Sequence, residues 1–112
     1  MSIKSFAAQL FAKHIHKKTQ AWANNPVETQ RNVFQELIHQ AKDTVFGKDH
    51  HFSEIKTFED FAKQVPIRDY EELRPYVDRM VKGEENILWK GKPIYFAKTS
   101  GTTSGARYIP LT

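Results

Sequence analysis

The chain has 112 residues, which is enough for one domain with a modest hydrophobic core. Hydrophobic residues make up 39% of it and cysteine is absent, which excludes a disordered tail, a disulfide framework and a thiolate metal site. The 17 basic and 13 acidic residues give a net charge of +4. Because the charges alternate in sign along most of the chain, they are typical of a solvated surface.

The hydropathy pattern contains no apolar run of about 18 residues, the length that a membrane-spanning helix requires. The N-terminus carries lysines but no continuous apolar segment of the kind found in secretory signals. The lysines are not interleaved with aromatic residues as in nucleic-acid-binding proteins. We therefore expect a cytoplasmic protein without a membrane or nucleic-acid partner.

Residues 2–24 predict an amphipathic first helix. Its apolar residues recur at spacings of three and four, and they are Ile3, Phe6, Ala7, Leu10, Phe11, Ile15 and Trp22. Most of its lysines lie off this stripe. The simplest interpretation is a helix that packs by its apolar face. A basic helix that binds a membrane surface or a protein partner is the alternative.

A second helix is predicted to begin at Pro26, with Asn25 as its N-cap and Glu28 three residues after the cap. Gly47 is its predicted end. Its apolar face is formed by Val33, Phe34, Leu37, Ile38, Ala41 and Val45. We expect the first two helices to pack as an antiparallel pair. The five histidines lack the spacing of a zinc site, so we expect surface or loop positions for them and no metal site.

Two shorter helices are predicted next, each with a capping box. Thr57 and Asp60 form the box of the first, which ends before Pro66. Asp69 and Glu72 form the box of the second, which ends near Gly83 and in which Pro75 should start a new turn or kink the helix. Four glutamates occur as acidic pairs at helix starts and after a helix end, where capping and solvation explain them better than catalysis does; they are Glu71, Glu72, Glu84 and Glu85.

The last twenty residues, 93–112, predict a strand, a loop and a second strand. The loop contains only hydroxyl residues and glycines, namely Thr99, Ser100, Gly101, Thr102, Thr103, Ser104 and Gly105. Glycine lets the backbone approach a ligand closely, and successive backbone N–H groups and hydroxyls can bind a phosphate or its metal ion. Arg107 follows and can pair with phosphate oxygens. A flexible linker is the alternative, but the apolar flanks favour a phosphate-binding hairpin.

The loop and its flanks carry a resemblance to a known family. The segment is not a Walker loop, because the spacing of its glycines differs. Instead, Phe96–Gly105 resembles the first ATP-phosphate motif of the adenylate-forming ligases. The continuation Ala106–Thr112 is similar to one branch of them, the Gretchen Hagen auxin-responsive family of acyl-acid amido synthetases. Two upstream segments, Thr44–Phe52 and Val65–Tyr76, resemble that branch as well.

This resemblance implies a ligase that uses ATP and Mg²⁺ to adenylate a carboxylic acid and then transfers the acyl group to the amine of an amino acid. It implies a phosphate-contacting role for residues 99–105, with Arg107 near the position of the motif's usual lysine. It implies no catalytic residue within this chain, because the pocket for the carboxylic acid and the adenine-binding segment lie beyond Thr112 in the family.

We therefore expect a mainly α fold of four to five helices with a C-terminal β-hairpin, as the N-terminal part of a larger α/β enzyme. Its parts would be the first helix (2–24), a helical segment (25–92) and the hairpin (93–112). Alone, the chain is expected to be inactive and to self-associate through exposed strands. Two other hypotheses remain: a stand-alone helical module that binds a protein or anionic partner, and a small independent nucleotide-binding protein.

Overall fold

A computed structural model describes residues 2–101 and 105–112. This part of the chain contains five α-helices, one short 3₁₀-helix and an antiparallel β-hairpin. The predicted mainly α fold of four to five helices with a C-terminal hairpin is confirmed, whereas the 3₁₀-helix was not predicted. The elements in chain order are α1 (Ile3–Asn24), α2 (Pro26–Ala41), α3 (Val45–Asp49), the 3₁₀-helix (Phe52–Glu54), α4 (Phe58–Gln64), α5 (Tyr70–Val81), β1 (Tyr95–Thr99) and β2 (Arg107–Leu111).

The chain divides into two compact units, Met1–Phe34 and Gln35–Thr112. In the first unit, Ser2 caps α1 by accepting a hydrogen bond from the backbone N–H of Ser5 at 3.2 Å. No residue of α1 is buried, and its apolar stripe, including Leu10 and Trp22, is exposed to solvent. The prediction that α1 and α2 pack as an antiparallel pair is therefore wrong.

Helix α2 begins at Pro26 as predicted, and the carbonyl oxygen of Asn25 accepts from the N–H of Thr29 at 3.0 Å, the backbone bond of an N-cap. Asn25 is also the C-cap of α1, and α2 ends at Ala41 instead of Gly47. The cause is Thr44, whose hydroxyl donates to the carbonyl oxygen of Ala41 at 2.7 Å and accepts from the N–H of Gly47 at 3.0 Å. This hydroxyl ends α2 and caps α3. Gly47 lies inside α3, where a Cβ would overlap the carbonyl oxygen of Ala41. The glycine serves close packing here, not termination.

Both predicted capping boxes are confirmed. Thr57 and Asp60 cap α4, and the backbone N–H groups of Lys56 and Thr57, which donate to Asp60, lower the pKa of that carboxyl. Asp69 and Glu72 cap α5 through two reciprocal bonds of 3.0 Å.

Helix α5 continues through Pro75, so no separate turn begins there. It ends in a Schellman motif, in which Gly83 (φ 94°) donates to Met80 and Glu84 donates to Arg79.

The core lies in the second unit. Its buried apolar residues come from α2, α5 and the segments that connect the helices: Ile38, Ala41, Phe52, Ile55, Val77, Met80 and Ile87. Phe46 packs edge-on against Phe52 and Tyr76 and is tilted against the ring of His50, with ring centroids 4.0 Å apart. His50 lies in the turn after α3, which agrees with the expected loop position, but it is 4% exposed and therefore not on the surface. Its Nδ1 bonds the carbonyl oxygen of Phe46 at 2.7 Å.

The segment between α5 and β1 is tied to the core before it reaches the hairpin. The backbone N–H groups of Val45 and Phe46 donate to the carbonyl oxygens of Asn86 and Ile87 at 2.9 and 3.0 Å. Asn86, with a positive φ of 56°, closes a turn by bonding Gly91 through both its backbone N–H and its side chain. These bonds anchor the chain a few residues before β1.

Candidate functional site

The predicted phosphate loop lies at the tip of the hairpin. Strands β1 and β2 pair in antiparallel register, from Tyr95 opposite Leu111 to Thr99 opposite Arg107. The register brings the two ends of the loop together and makes Thr99 and Arg107 direct neighbours across the strands. Thr99 is half-buried, whereas Ser100 and Arg107 are exposed. The base of the loop is therefore accessible to solvent.

The two glycines narrow the base of this loop. The N–H of Gly101 donates to the carbonyl oxygen of Thr99 at 3.0 Å, which tightens the exit from β1. A Cβ on Gly101 would overlap the carbonyl oxygen of Gly105. Gly105 has a φ of 84°, a left-handed conformation that side chains disfavour, although no atom lies near its Cβ position. Gly101 is therefore required by space and Gly105 by backbone conformation.

Tyr70, the first residue of α5, holds the other side of β2. Its hydroxyl accepts a hydrogen bond from the N–H of Tyr108 at 2.8 Å and donates to the carbonyl oxygen of the same residue at 3.3 Å. Both backbone groups of Tyr108 therefore face α5 rather than β1. One hydroxyl satisfies a backbone donor and a backbone acceptor that a third strand would otherwise pair.

The ring of Tyr70 also contacts the predicted phosphate-binding cation. The guanidinium carbon of Arg107 lies 5.4 Å from the ring centroid, within the range of a cation–π interaction. The side chain of Tyr70 thus meets two consecutive residues of β2, Arg107 by its ring and Tyr108 by its hydroxyl. Arg107 is thereby held where β2 leaves the loop.

Of the predicted site residues, the structure brings together Thr99, Ser100, Gly101, Gly105 and Arg107 at the base of the loop. The other three predicted residues, Thr102, Thr103 and Ser104, lie outside the described part of the chain.

Three of the four glutamates in the acidic pairs, Glu71, Glu72 and Glu84, have structural partners. Glu72 belongs to the capping box, and Glu71 pairs with Arg74 at 3.3 Å. Glu84 pairs with Arg79 at 2.7 Å, a hydrogen bond that lowers the pKa of the carboxyl and raises that of the guanidinium. These contacts agree with capping and solvation rather than catalysis.

Tyr70 is the residue at this site that the sequence did not reveal. It follows a helix cap, and nothing in its local pattern points to a strand 38 residues away. The sequence held one indirect signal: Tyr70 belongs to the Val65–Tyr76 segment that resembles the family. Within residues 2–101 and 105–112, no helix has both the length and the apolar character needed to cross a bilayer.

Comparison with known proteins agrees with the motif-based resemblance. The sequence profile described as the GH3 family N-terminal domain matches residues 15–112. The chain belongs to the GH3 family. The match includes both segments upstream of the hairpin as well as the loop, so the resemblance of these segments to the family is confirmed.

Several characterised GH3 relatives are plant enzymes. The indole-3-acetic acid-amido synthetase GH3.5 of Arabidopsis thaliana is 28% identical over 87 residues, which cover 77% of this chain and 14% of the relative. The indole-3-acetic acid-amido synthetase GH3.15 is 43% identical over 56 residues, or 48% of this chain and 9% of the relative. The 4-substituted benzoates-glutamate ligase GH3.12 is 44% identical over 48 residues, or 42% and 8%; both are also from Arabidopsis thaliana. The chain thus spans a small part of each of these relatives.

Proposed function

We propose that this chain is the N-terminal portion of an ATP-dependent acyl-acid amido synthetase, and that residues 99–105 with Arg107 bind the phosphates of ATP. The observation that carries the proposal is the closed base of the loop. Gly101 and Gly105 bring two backbone segments together with no room for a side chain at Gly101, and in the sequence of this GH3 family member they flank a run of hydroxyl residues. Loops of glycine and hydroxyl residues can bind an anion through backbone N–H groups and hydroxyls.

The residues at the base of the loop fit a nucleotide polyphosphate. Ser100 is exposed and offers a hydroxyl donor, and Arg107 contributes a positive charge on the opposite strand. No acidic residue lies between positions 99 and 112, so the sequence brings no repulsive charge to this tip. Mg²⁺ bound with ATP would neutralise part of the phosphate charge. The hydroxyls of the loop are suitable ligands for Mg²⁺.

The proposed reaction forms an amide in two steps. In the first, a carboxylate oxygen attacks the α-phosphorus of ATP, and the bond to the β-phosphate oxygen breaks to release pyrophosphate. In the second, an amino acid amine attacks the activated acyl carbon, AMP leaves, and the nitrogen loses a proton. The names of two relatives, an amido synthetase and a glutamate ligase, agree with an amide product. The loop's part is to fix the β- and γ-phosphates while the first bond forms.

The chain alone is proposed to be inactive, because one wall of a site does not supply groups that converge on a reacting atom. The remaining groups would come from the part of a GH3 enzyme that this chain does not match; the alignment with GH3.5 covers 14% of that relative. Its carboxylic acid and amino acid substrates would therefore be recognised mainly outside residues 2–112.

ATP–pyrophosphate exchange on the complete protein that contains this chain, with a panel of carboxylic acids, tests the proposal. We expect exchange that depends on an acid. Ser100→Ala should lower kcat/KM for ATP by roughly tenfold to a hundredfold, the range for one lost hydrogen bond to a charged group. Thr103→Ala should act in the same direction. Ser53→Ala, which removes an exposed hydroxyl from the 3₁₀-helix, should leave exchange unchanged.

The two glycines provide a sharper pair of variants. Gly101→Ala should reduce exchange more than Gly105→Ala, because only at position 101 does the new Cβ meet backbone. In Gly105→Ala the new Cβ meets no atom, and the only cost is a side chain on a left-handed backbone. Equal effects of the two substitutions would argue that the closed base is not what binds the phosphates.

The helical-module hypothesis is favoured by one observation, the exposed apolar stripe of α1. A folded complete protein that shows no exchange with any carboxylic acid would favour this hypothesis over the ligase. Salt-dependent binding to polyanions would then indicate that the basic residues of α1 carry the interaction.

A further inference from the structure

We propose that Tyr70 is a positioning residue for the phosphate loop: through its hydroxyl and its ring it fixes the start of β2 and holds Arg107 at the loop. This inference rests on the proposed function, since it assigns a device that serves the same site. Tyr70 does not belong to the loop and is not expected to touch a substrate. Its role would be exerted through Tyr108 and Arg107.

The first argument is the geometry of the hydroxyl. A tyrosine hydroxyl has one donor and lone-pair acceptors, and here both functions are used on a single peptide residue, Tyr108, at 2.8 and 3.3 Å. A two-stranded hairpin is marginally stable in water by itself. The contact to α5 therefore gives β2 a second neighbour besides β1, one residue beyond Arg107, where the strand begins.

The second argument is the rigidity of the platform that carries Tyr70. Tyr70 is the first residue of α5, directly after Asp69, whose capping box with Glu72 fixes the entry of the helix through two bonds of 3.0 Å. One turn later Arg74 pairs with Glu71. Further along the same helix Met80 is buried in the core. The hydroxyl is therefore attached to a helix that is fixed at its start and anchored by its other end.

The third argument is the contact with Arg107. The guanidinium lies over the ring of Tyr70 at 5.4 Å, so the ring restricts the positions that a long and exposed side chain would otherwise sample. A phosphate-binding cation that is already ordered loses less conformational entropy when the ligand arrives. The two contacts of Tyr70 therefore both restrict the start of the same strand, β2.

The test uses the complete protein and the variant Tyr70→Phe, which keeps the ring and removes the hydroxyl. Tyr76→Phe is the matched control, because it removes a hydroxyl from the same helix whose partner is Asp49 rather than the hairpin. Tyr95→Phe is a second control, on a 71% exposed residue of β1. Two readouts are taken: hydrogen exchange of the peptide that contains residues 105–112, and KM and kcat with ATP and the carboxylic acid varied separately.

In Tyr70→Phe we expect faster hydrogen exchange in residues 105–112. We also expect a roughly tenfold rise in KM for ATP, with KM for the carboxylic acid unchanged. Both controls should have the same hydrogen-exchange rate in residues 105–112 and the same KM for ATP as the wild type. Tyr70→Ala, which also removes the ring beneath Arg107, should raise KM for ATP further than Tyr70→Phe does.

The readouts separate failure of this inference from failure of the proposed function. A wild-type protein without acid-dependent exchange of pyrophosphate would overturn the phosphate-binding function itself. An active wild type in which Tyr70→Phe leaves KM for ATP unchanged would overturn the positioning role, whatever the hydrogen exchange shows. An equal rise of KM in Tyr76→Phe would overturn it too, because the effect would then come from a general loosening of α5.

Discussion

The two units of the chain use apolar residues in opposite ways. In the second unit, Gln35–Thr112, residues such as Met80 and Ile87 are 1% exposed and form a core around α5. In the first unit no described residue is buried, although α1 is the longest helix and has a regular apolar stripe. Amphipathic periodicity therefore predicts a helix equally well in both units, but it does not say whether the apolar face is covered within the chain.

The comparison predicts that stability is concentrated in the second unit, and the largest expected effect is at its centre. Met80→Ala removes a side chain that is 1% exposed and leaves a cavity between α5 and its neighbours. We expect a loss of about 2–5 kcal/mol in the free energy of unfolding. Denaturant unfolding of the 112-residue chain, followed by tryptophan fluorescence, measures it. A loss below about 1 kcal/mol would indicate that the site collapses or that the core lies elsewhere.

A smaller effect is expected from Tyr76→Phe, which breaks the 2.7 Å hydrogen bond from the hydroxyl of Tyr76 to Asp49. We expect a loss of about 1–2 kcal/mol at neutral pH, because the bond is to a charged acceptor and the remaining phenyl ring keeps its packing against Phe46. The same unfolding experiment at pH 7 measures it.

The pH dependence of that difference is fixed by the direction of the pKa shift. Burial, and then the hydrogen bond and charge of Asp49, raise the pKa of Tyr76 in the folded state. The contribution is therefore fully present below the unfolded pKa of about 10 and is lost as pH rises through the higher folded value. Wild type and Tyr76→Phe should converge in stability in alkaline solution. A difference that grows with pH would contradict the assigned cause.

The smallest effect is expected in the first unit. Leu10→Ala truncates an apolar residue of α1 that is 53% exposed. In the 112-residue chain it should change the free energy of unfolding by less than about 0.5 kcal/mol, since alanine also has the higher helix propensity. A loss comparable to that of Met80→Ala would break the comparison, because it would mean that the stripe of α1 is covered in solution. The oligomeric state, measured by sedimentation, would then show whether a second copy covers it.

What the sequence determined by itself is local. A threonine or an aspartate before a helix, with a carboxylate three residues on, predicted the caps of α4 and α5, because those bonds join residues only three positions apart. The hairpin and its glycine loop were predictable for the same reason, since apolar strands flank a turn-rich run. The family was predictable because its motifs are contiguous segments of the chain.

What only the tertiary structure decided depends on contacts between distant residues. The end of α2 moved from Gly47 to Ala41 because Thr44 and the packing of Gly47 against a helix carbonyl compete with the periodic pattern, which runs on through Val45. The burial of His50 depends on the aromatic cluster that surrounds Phe46. The contact of Tyr70 with Tyr108 joins residues 38 positions apart. No local pattern encodes such a pair, because side-chain periodicity reports which face is apolar and not which strand that face will meet.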